Sequence, residues 1–384
     1  MSARSFIPYG RHHIDADDEA AVLAVLRSAF LTQGPATKAF EADLAAYVGA
    51  KHCVAVANGT AALHICMAGL KLGAGEGITS PNTFVATSNA MAYVGLHPVF
   101  ADIDPETLNL SPTATLAALT PNTRLIAPVH FAGLPADMPA FQAMAADRDI
   151  RIVEDAAHAI GSEYSGGGRV GDCRYSDATT FSFHPVKTIT TGEGGAITTN
   201  DPVLYERLQM LRSHGITREP TLMTDNPGTW WYEQQMLGFN YRMTEIQAAL
   251  GSSQLRKLER FIERRREIFL RYRQAFADLD WLTLPPATGN RKVAQHLFVA
   301  RFDLMAMGRT RPEVMAALLE QGVGSQVHYI PVHHQPWYRQ TCAVASDSCP
   351  ETERYYEQCL SLPLYPAMTD EDVERVVDAV RGLA

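Results

Sequence analysis

The sequence predicts an α/β fold in which a large, mostly parallel sheet is covered by helices and followed by a smaller α+β unit. Three observations carry this expectation. Short β-branched or apolar runs alternate with helical stretches from Asp15 to about Gly251. Near Ser252 the pattern changes to a long stretch whose apolar residues recur at steps of three and four. The composition is 46% apolar, with 33 Lys+Arg against 42 Asp+Glu for a net charge of −9, as in globular chains long enough to bury a sizeable core.

The elements follow in chain order. Asp15 opens the first helix, because its carboxylate can accept the free N–H of Asp17 or Asp18 and the acidic first turn suits the helix dipole. Residues 77–80 form a strand, 83–95 an Ala-rich helix and 97–102 the next strand. Strands at 125–130 and 150–155 flank a helix at 138–147, and 178–183 with 195–199 form a strand pair. Leu255, Leu258, Ile262, Phe269, Tyr272 and Phe276 then define one long amphipathic helix, and we place a domain boundary at its start, between 15–252 and 253–384. Its opposite face carries Arg256, Lys257, Arg260, Arg264, Arg265, Arg266, Arg271 and Arg273 interleaved with Glu259, Glu263 and Glu267. That spacing suits a solvated face with i,i+4 pairs. A strand at 294–302, a helix at 311–321, a strand at 324–330 and a last helix opening at Thr369 complete the smaller unit, with a turn-rich loop from Pro285 to Asn290.

Several functional classes are excluded. The acidic balance disfavours nucleic acid, which requires a basic footprint. Charged residues or glycine interrupt every apolar run, so no membrane span is expected, and the first ten residues lack the apolar stretch of a signal peptide. A cytoplasmic protein is the expectation. The cysteines at 53, 66, 173, 342, 349 and 359 form no C-x-x-C pair and are expected to be free thiols. His328, His333 and His334 have no carboxylate or cysteine at ligand spacing, so no metal is expected. Trp230-Trp231-Tyr232 and Trp337-Tyr338 are read as core or interface aromatics.

The densest cluster of unusual residues lies between Asp155 and Gly195. Asp155 ends a buried strand, where open parallel sheets bind ligands, and a carboxylate placed there needs a cation. Lys187 follows Phe181-Ser182-Phe183-His184-Pro185-Val186, just past an apolar strand and against glycine-rich backbone. Desolvation there lowers a lysine pKa and leaves an amine able to attack a carbonyl and form a Schiff base. Val56-Ala57-Asn58-Gly59-Thr60 is a strand breaking into a helix at glycine, an anion cup suited to a phosphate. Neither G-x-x-x-x-G-K-[ST] nor G-x-G-x-x-G occurs, which disfavours nucleotide loops. A phosphate cup, a carboxylate for a ring cation and a Schiff-base lysine are together the protein-side needs of pyridoxal 5′-phosphate.

These residues resemble the DegT/DnrJ/EryC1/StrS sugar aminotransferases, a branch of the fold-type I pyridoxal phosphate enzymes. The likeness spans nearly the whole chain. Its markers are residues 58–63 (NGTAAL), 154–158 (EDAAH), 181–187 (FSFHPVK) and 238–244 (GFNYRMT). The resemblance implies that Lys187 holds the cofactor and shuttles the proton, that Asp155 pairs with the pyridinium nitrogen, and that Gly59, Thr60 and Ser182 hold the phosphate. It also implies that Phe84 stacks on the ring, that His158 lies near the cofactor hydroxyl, and that Asn240 reaches the phosphate of the partner subunit in a homodimer.

Residues 6–11, 30–35, 183–195, 211–218 and 326–333 further resemble the pseudaminic acid branch of that family. This implies an acceptor that is a UDP-4-keto-6-deoxy-N-acetylhexosamine, with L-glutamate as donor leaving as 2-oxoglutarate in a ping-pong reaction. By that resemblance Tyr9, from an N-terminal segment 1–14, would line the sugar-nucleotide site with Leu31, Thr32, Gln33, His328 and Tyr329. A dehydratase of the same scaffold would carry histidine in place of Lys187, and a non-catalytic regulator would be expected to lose Lys187 or Asp155.

Overall fold

A computed structural model describes residues 6–289, 291–342 and 348–383. The first five residues of the N-terminal segment, and Asn290 at the end of the turn-rich loop, lie outside the described residues. The helix α1 (Ala16–Leu26) starts as expected, with Asp15 accepting from the backbone of Asp17 and Asp18, and α2 (Pro35–Val48) follows. The strands β1 (His52–Val56), β2 (Gly75–Thr79), β3 (Leu96–Phe100), β4 (Thr123–Ala127), β5 (Arg151–Asp155), β6 (Ala178–Ser182) and β7 (Gly195–Thr199) form one sheet in the order β1-β7-β6-β5-β4-β2-β3. β2 to β6 pair in parallel, and β7 alone runs antiparallel to both neighbours.

Both faces of this sheet are covered, which explains why its strands read as near-continuous apolar runs. Ile126, Ile152 and Phe181 pack on one face with Phe40 and Leu44 of α2, Phe141 of α6 (Met138–Ala145) and Ala248 of α8 (Glu245–Arg256). Alternate residues Leu125, Val153 and Ile197 face the other way, against α3 (Gly59–Leu70), α4 (Ala86–Tyr93) and α7 (Pro202–Arg212). The helix α5 (Pro112–Ala118) lies between β3 and β4 in the chain. A short hairpin of β8 (Ile216–Thr217) and β9 (Glu233–Gln234) follows α7.

The single long helix expected from Leu255 onward is two helices. α8 ends at Arg256 and α9 runs Leu258–Ala275, with Lys257 between them. The periodicity carries across the break because Leu255 and Leu258 are buried in the same core. The Lys257 ammonium bridges Asp15 and Asp18 at 2.5 and 2.6 Å, tying the junction to α1. α9 then straddles two cores. Leu258, Phe261 and Ile262 belong to the first, whereas Ile268, Phe269 and Tyr272 pack with an antiparallel sheet of β10 (Leu282–Thr283), β11 (Phe298–Phe302) and β12 (Cys359–Leu362). Phe298 is fully buried there, worth about 2–3 kcal/mol. The helices α10 (Arg311–Glu320) and α13 (Asp370–Arg381) pack on that sheet through Val314, Leu318, Val373 and Val376, while α11 (Pro336–Thr341) and α12 (Pro350–Gln358) lie nearer β3.

Two further expectations are corrected. Residues 324–330 form no strand, because only Gln326 pairs with Ser361 before the chain turns away and Tyr355 takes the His328 carbonyl at 2.5 Å. Arg265 is not on a solvated face: it is 1% exposed, with Nη1 donating to the carbonyls of His296 and Leu364. Its neighbours Arg264 and Arg271 do reach Asp370, at 2.8 and 2.7 Å. All six cysteines are free, as expected, and all six are buried. No helix among the described residues is long and apolar enough to cross a membrane.

Candidate active site

The carboxyl ends of β5 and β6 and the start of α3 open into one cavity of about 980 Å³. Asp155 terminates β5, the central strand, and is 6% exposed. Thr87 of α4 donates to its Oδ2 at 2.6 Å, and the backbone N–H of Ala157 to Oδ1 at 3.0 Å. Both carboxylate oxygens are therefore oriented by neutral donors, and the group remains free to meet a cation.

Lys187 follows β6 in a tight loop. Its N–H donates to His184 O at 2.8 Å, and the chain folds back so that Thr191 N–H reaches Phe183 O at 3.0 Å. The Lys187 side chain lines the cavity, where burial lowers its pKa to about 8 against a smaller opposing pull from Asp155. An amine with that pKa is neutral to a useful extent near pH 7–8. Among the described residues lining the cavity, no other lysine or arginine occurs.

The anion cup forms as the residues require. Asn58 caps α3, its Oδ1 accepting from Ala61 N–H at 2.8 Å, so the N–H groups of Gly59 and Thr60 precede any intrahelical acceptor. A Cβ on Gly59 would lie 2.9 Å from Ser182 Cβ. Only glycine lets the helix start approach Ser182 closely enough for both to face one anion.

Imidazoles and phenols build the far wall. His158 Nε2 meets Tyr329 Oη at 3.1 Å, and the His158 ring lies 4.4 Å from that of His296. His328 Nδ1 meets Ser361 Oγ at 2.7 Å. Burial, with the Lys187 charge adding to it, lowers the pKa of His158 and takes His328 down to about 3, so both rings are neutral. Burial raises the Tyr329 phenol. Nδ1 of His158 and Nδ1 of His296 are buried without a hydrogen-bond partner. Unpartnered buried ring nitrogens, a glycine cradle and a lysine with a lowered pKa fit a phosphorylated aromatic aldehyde.

A model of the DegT/DnrJ/EryC1/StrS aminotransferase family matches residues 12–381. The chain belongs to that family. It is 40% identical over 382 residues to the spore coat polysaccharide biosynthesis protein SpsC of Bacillus subtilis, covering 98% of this chain and 97% of that protein. Among solved structures it resembles Helicobacter pylori PseC, an aminotransferase involved in the biosynthesis of pseudoaminic acid. That likeness has a TM-score of 0.91 at 31% identity and covers 99% of each chain. A putative sugar aminotransferase of Streptococcus pneumoniae, solved in its pyridoxal phosphate form, matches with a TM-score of 0.88 at 29% identity over 98% of each chain. This aminotransferase is accordingly a fold-type I, pyridoxal phosphate-dependent enzyme acting on sugars.

The structure brings together Lys187, Asp155, His158, Gly59, Thr60, Ser182, Phe84, Tyr9, His328 and Tyr329 around the one cavity. It does not bring Asn240, Leu31, Thr32 or Gln33 there. Asn240 is exposed and pairs through its backbone with Ser213, while Thr32 pairs with Thr244. Gln33 lines a separate cavity of about 720 Å³ together with Lys38, Arg212 and Arg242. Sequence reasoning missed Thr87 and His296. Thr87 carries no local signal, since its role depends on α4 crossing the end of β5. His296 precedes the apolar run of β11, and the contrast between an imidazole and that run is the one available hint.

Glu353 of α12 also came from afar. Its Oε1 accepts from His333 Nε2 at 2.7 Å and His334 Nε2 at 2.8 Å, giving a trio of possible ligand atoms within 4.8 Å of one another. Nδ1 of His333 has no partner, whereas metal-ligating imidazoles as a rule donate that N–H to an acceptor. We read the trio as a hydrogen-bonded staple holding the cavity rim to α12. Of the aromatic pairs, Tyr338 is buried, with its hydroxyl on Asn89, while Trp230 is 68% exposed.

Proposed function

We propose that this aminotransferase moves the amino group of L-glutamate to C4 of a UDP-4-keto-6-deoxy-N-acetylhexosamine, giving UDP-4-amino-4,6-dideoxy-N-acetyl-β-L-altrosamine. The carrying observation is the convergence of Lys187, Asp155 and the α3 start on a cavity whose far wall is built by His158, His296, His328 and Tyr329. Such a wall offers hydrogen bonds to a hydroxylated ring. The full-length likeness to Helicobacter pylori PseC supports the pseudaminic acid assignment.

The roles are assigned by position. Bound pyridoxal phosphate supplies an electron sink for the carbanion at the amino-bearing carbon. Lys187 would hold the cofactor aldehyde and then, as a neutral amine, carry the proton to and from that carbon. Asp155, oriented by Thr87 and Ala157, would keep the ring nitrogen protonated. Gly59, Thr60 and Ser182 would take the phosphate, Phe84 the ring face, and His158 the ring hydroxyl. Tyr9, His328 and Tyr329 would bind the sugar and exclude water.

Asn240, Leu31, Thr32 and Gln33 face away from this cavity, and we assign them to the site of a second subunit in a homodimer. A second reading, favoured by the 40% identity to Bacillus subtilis SpsC, keeps the chemistry and changes the acceptor to another nucleotide-linked 4-keto-6-deoxy sugar. Offering epimeric UDP-4-keto sugars with glutamate and analysing the product separates the two. Amination of the L-arabino-configured ketone supports the first reading, and its rejection in favour of another ketone overturns it.

A further inference from the structure

His296 is a buried histidine that no part of the proposed chemistry uses. It is 4% exposed and lines the same cavity as Lys187 and Asp155. Its ring lies 4.4 Å from that of His158 at an interplanar angle of 35°, and Tyr329 approaches His158 at 6.2 Å and 19°. Tyr329 holds the Nε2 edge of His158 through its hydroxyl at 3.1 Å, and His296 is the nearest ring neighbour of His158 among the described residues.

The backbone of His296 is clamped at both ends. Its N–H donates to Ala132 O at 3.0 Å, and its carbonyl accepts from Arg265 Nη1 at 3.1 Å. Gly133, at φ +97°, permits this approach: a Cβ there would lie 2.0 Å from Ala294 O. Arg265 itself is buried, and its other contact is Leu364 O at 2.7 Å. Burying a guanidinium on carbonyls alone is costly. Fixing where the His296 segment sits is the return that the geometry offers, because the same guanidinium joins α9, the segment before β11 and the exit of β12.

We propose that His296 is a positioning residue for the cofactor site, its ring face setting the plane of His158, with Arg265 as its anchor. This rests on the reading that His158 meets the bound cofactor. The role is assigned to the ring face, which is what lies 4.4 Å from His158, and His296 Nδ1 makes no hydrogen bond. The titratable and charged groups around the ring are His158, Lys187, Arg265 and His328.

The test uses the purified full-length holoenzyme and follows the absorption of bound pyridoxal phosphate against pH in wild type, His158→Ala, His296→Ala, His296→Phe and the His158→Ala/His296→Ala double variant. His158→Ala and His296→Ala are each expected to displace the chromophore midpoint by about 1 pH unit. The double variant should move no further than His158→Ala, and His296→Phe, which keeps a ring face, should stay near wild type. A displaced His158→Ala with an unmoved His296→Ala overturns the positioning role and leaves the reading of His158 standing. Immobility of both defeats that reading itself. Should His296→Phe fold, bind cofactor and shift as far as His296→Ala, packing by the ring face is refuted.

Discussion

Replacing Thr87 by valine removes one hydroxyl and almost nothing else. Thr87 is fully buried on α4, and valine keeps its branched shape while replacing the hydroxyl by a methyl group. The lost contacts are a 2.6 Å hydrogen bond to Asp155 Oδ2, one of two that orient this carboxylate, and a longer one of 3.4 Å with Thr83 Oγ1. A hydrogen bond to a charged group contributes about 1.5–3 kcal/mol. If all of it supports the reaction through Asp155, the rate falls about 10- to 150-fold, at 1.36 kcal/mol per decade. The assay is single-turnover bleaching of the bound cofactor by glutamate, which isolates the first half-reaction. Thr87→Ser keeps the hydroxyl and should recover most of the rate. A cofactor-loaded Thr87→Val enzyme that bleaches at the wild-type rate would refute the idea that this bond matters to Asp155.

Other outcomes follow from the same geometry. Lys187→Ala should lose turnover altogether, and borohydride trapping with peptide mapping should place the pyridoxyl group on Lys187 in the wild type; an adduct on another residue removes the assignment. Because burial lowers the Lys187 pKa to about 8, capture of pyridoxal phosphate by the apoprotein should accelerate through pH 8 rather than near 10.5, as stopped-flow absorbance would reveal. Gly59→Ala puts a methyl group 2.9 Å from Ser182 Cβ and should weaken cofactor binding, measured by equilibrium dialysis, at a stability cost of about 1–3 kcal/mol.

Glu154 supports a stability prediction. It is fully buried and accepts from His130, Tyr164, Ser176 and Thr179 at 2.5–3.0 Å. His130 Nδ1 accepts from Ala136 N–H, so Nε2 is the nitrogen that donates to Glu154. Burial alone would raise the Glu154 pKa, but these donors outweigh it and lower the pKa. The resulting stability is present above the ordinary carboxylate pKa and is lost as pH falls through the lower folded value. Glu154→Gln turns an amide toward two of the four donors and should cost about 2–5 kcal/mol in denaturant unfolding. A midpoint within error of wild type would count against the network.

The local features of this protein were legible in its residues. Alternating apolar runs placed β5 and β6, Asp15 and Thr369 announced helix starts, and the Asn58-Gly59 break located the anion cup. Each of these is settled within a few residues by backbone preference or side-chain period, so the order of letters determines it. Arg265 was misread for the same reason: its helical phase is that of a solvated cation, yet the chain that covers it arrives from residues 296 and 364. Thr87 on Asp155, Glu353 between two histidines, and the departure of Gln33 and Asn240 from the cavity were likewise decided by contacts tens to hundreds of residues apart. Such contacts depend on how helices cross strand ends and how two cores share α9. Local periodicity carries no record of those distances, and tertiary packing alone sets them.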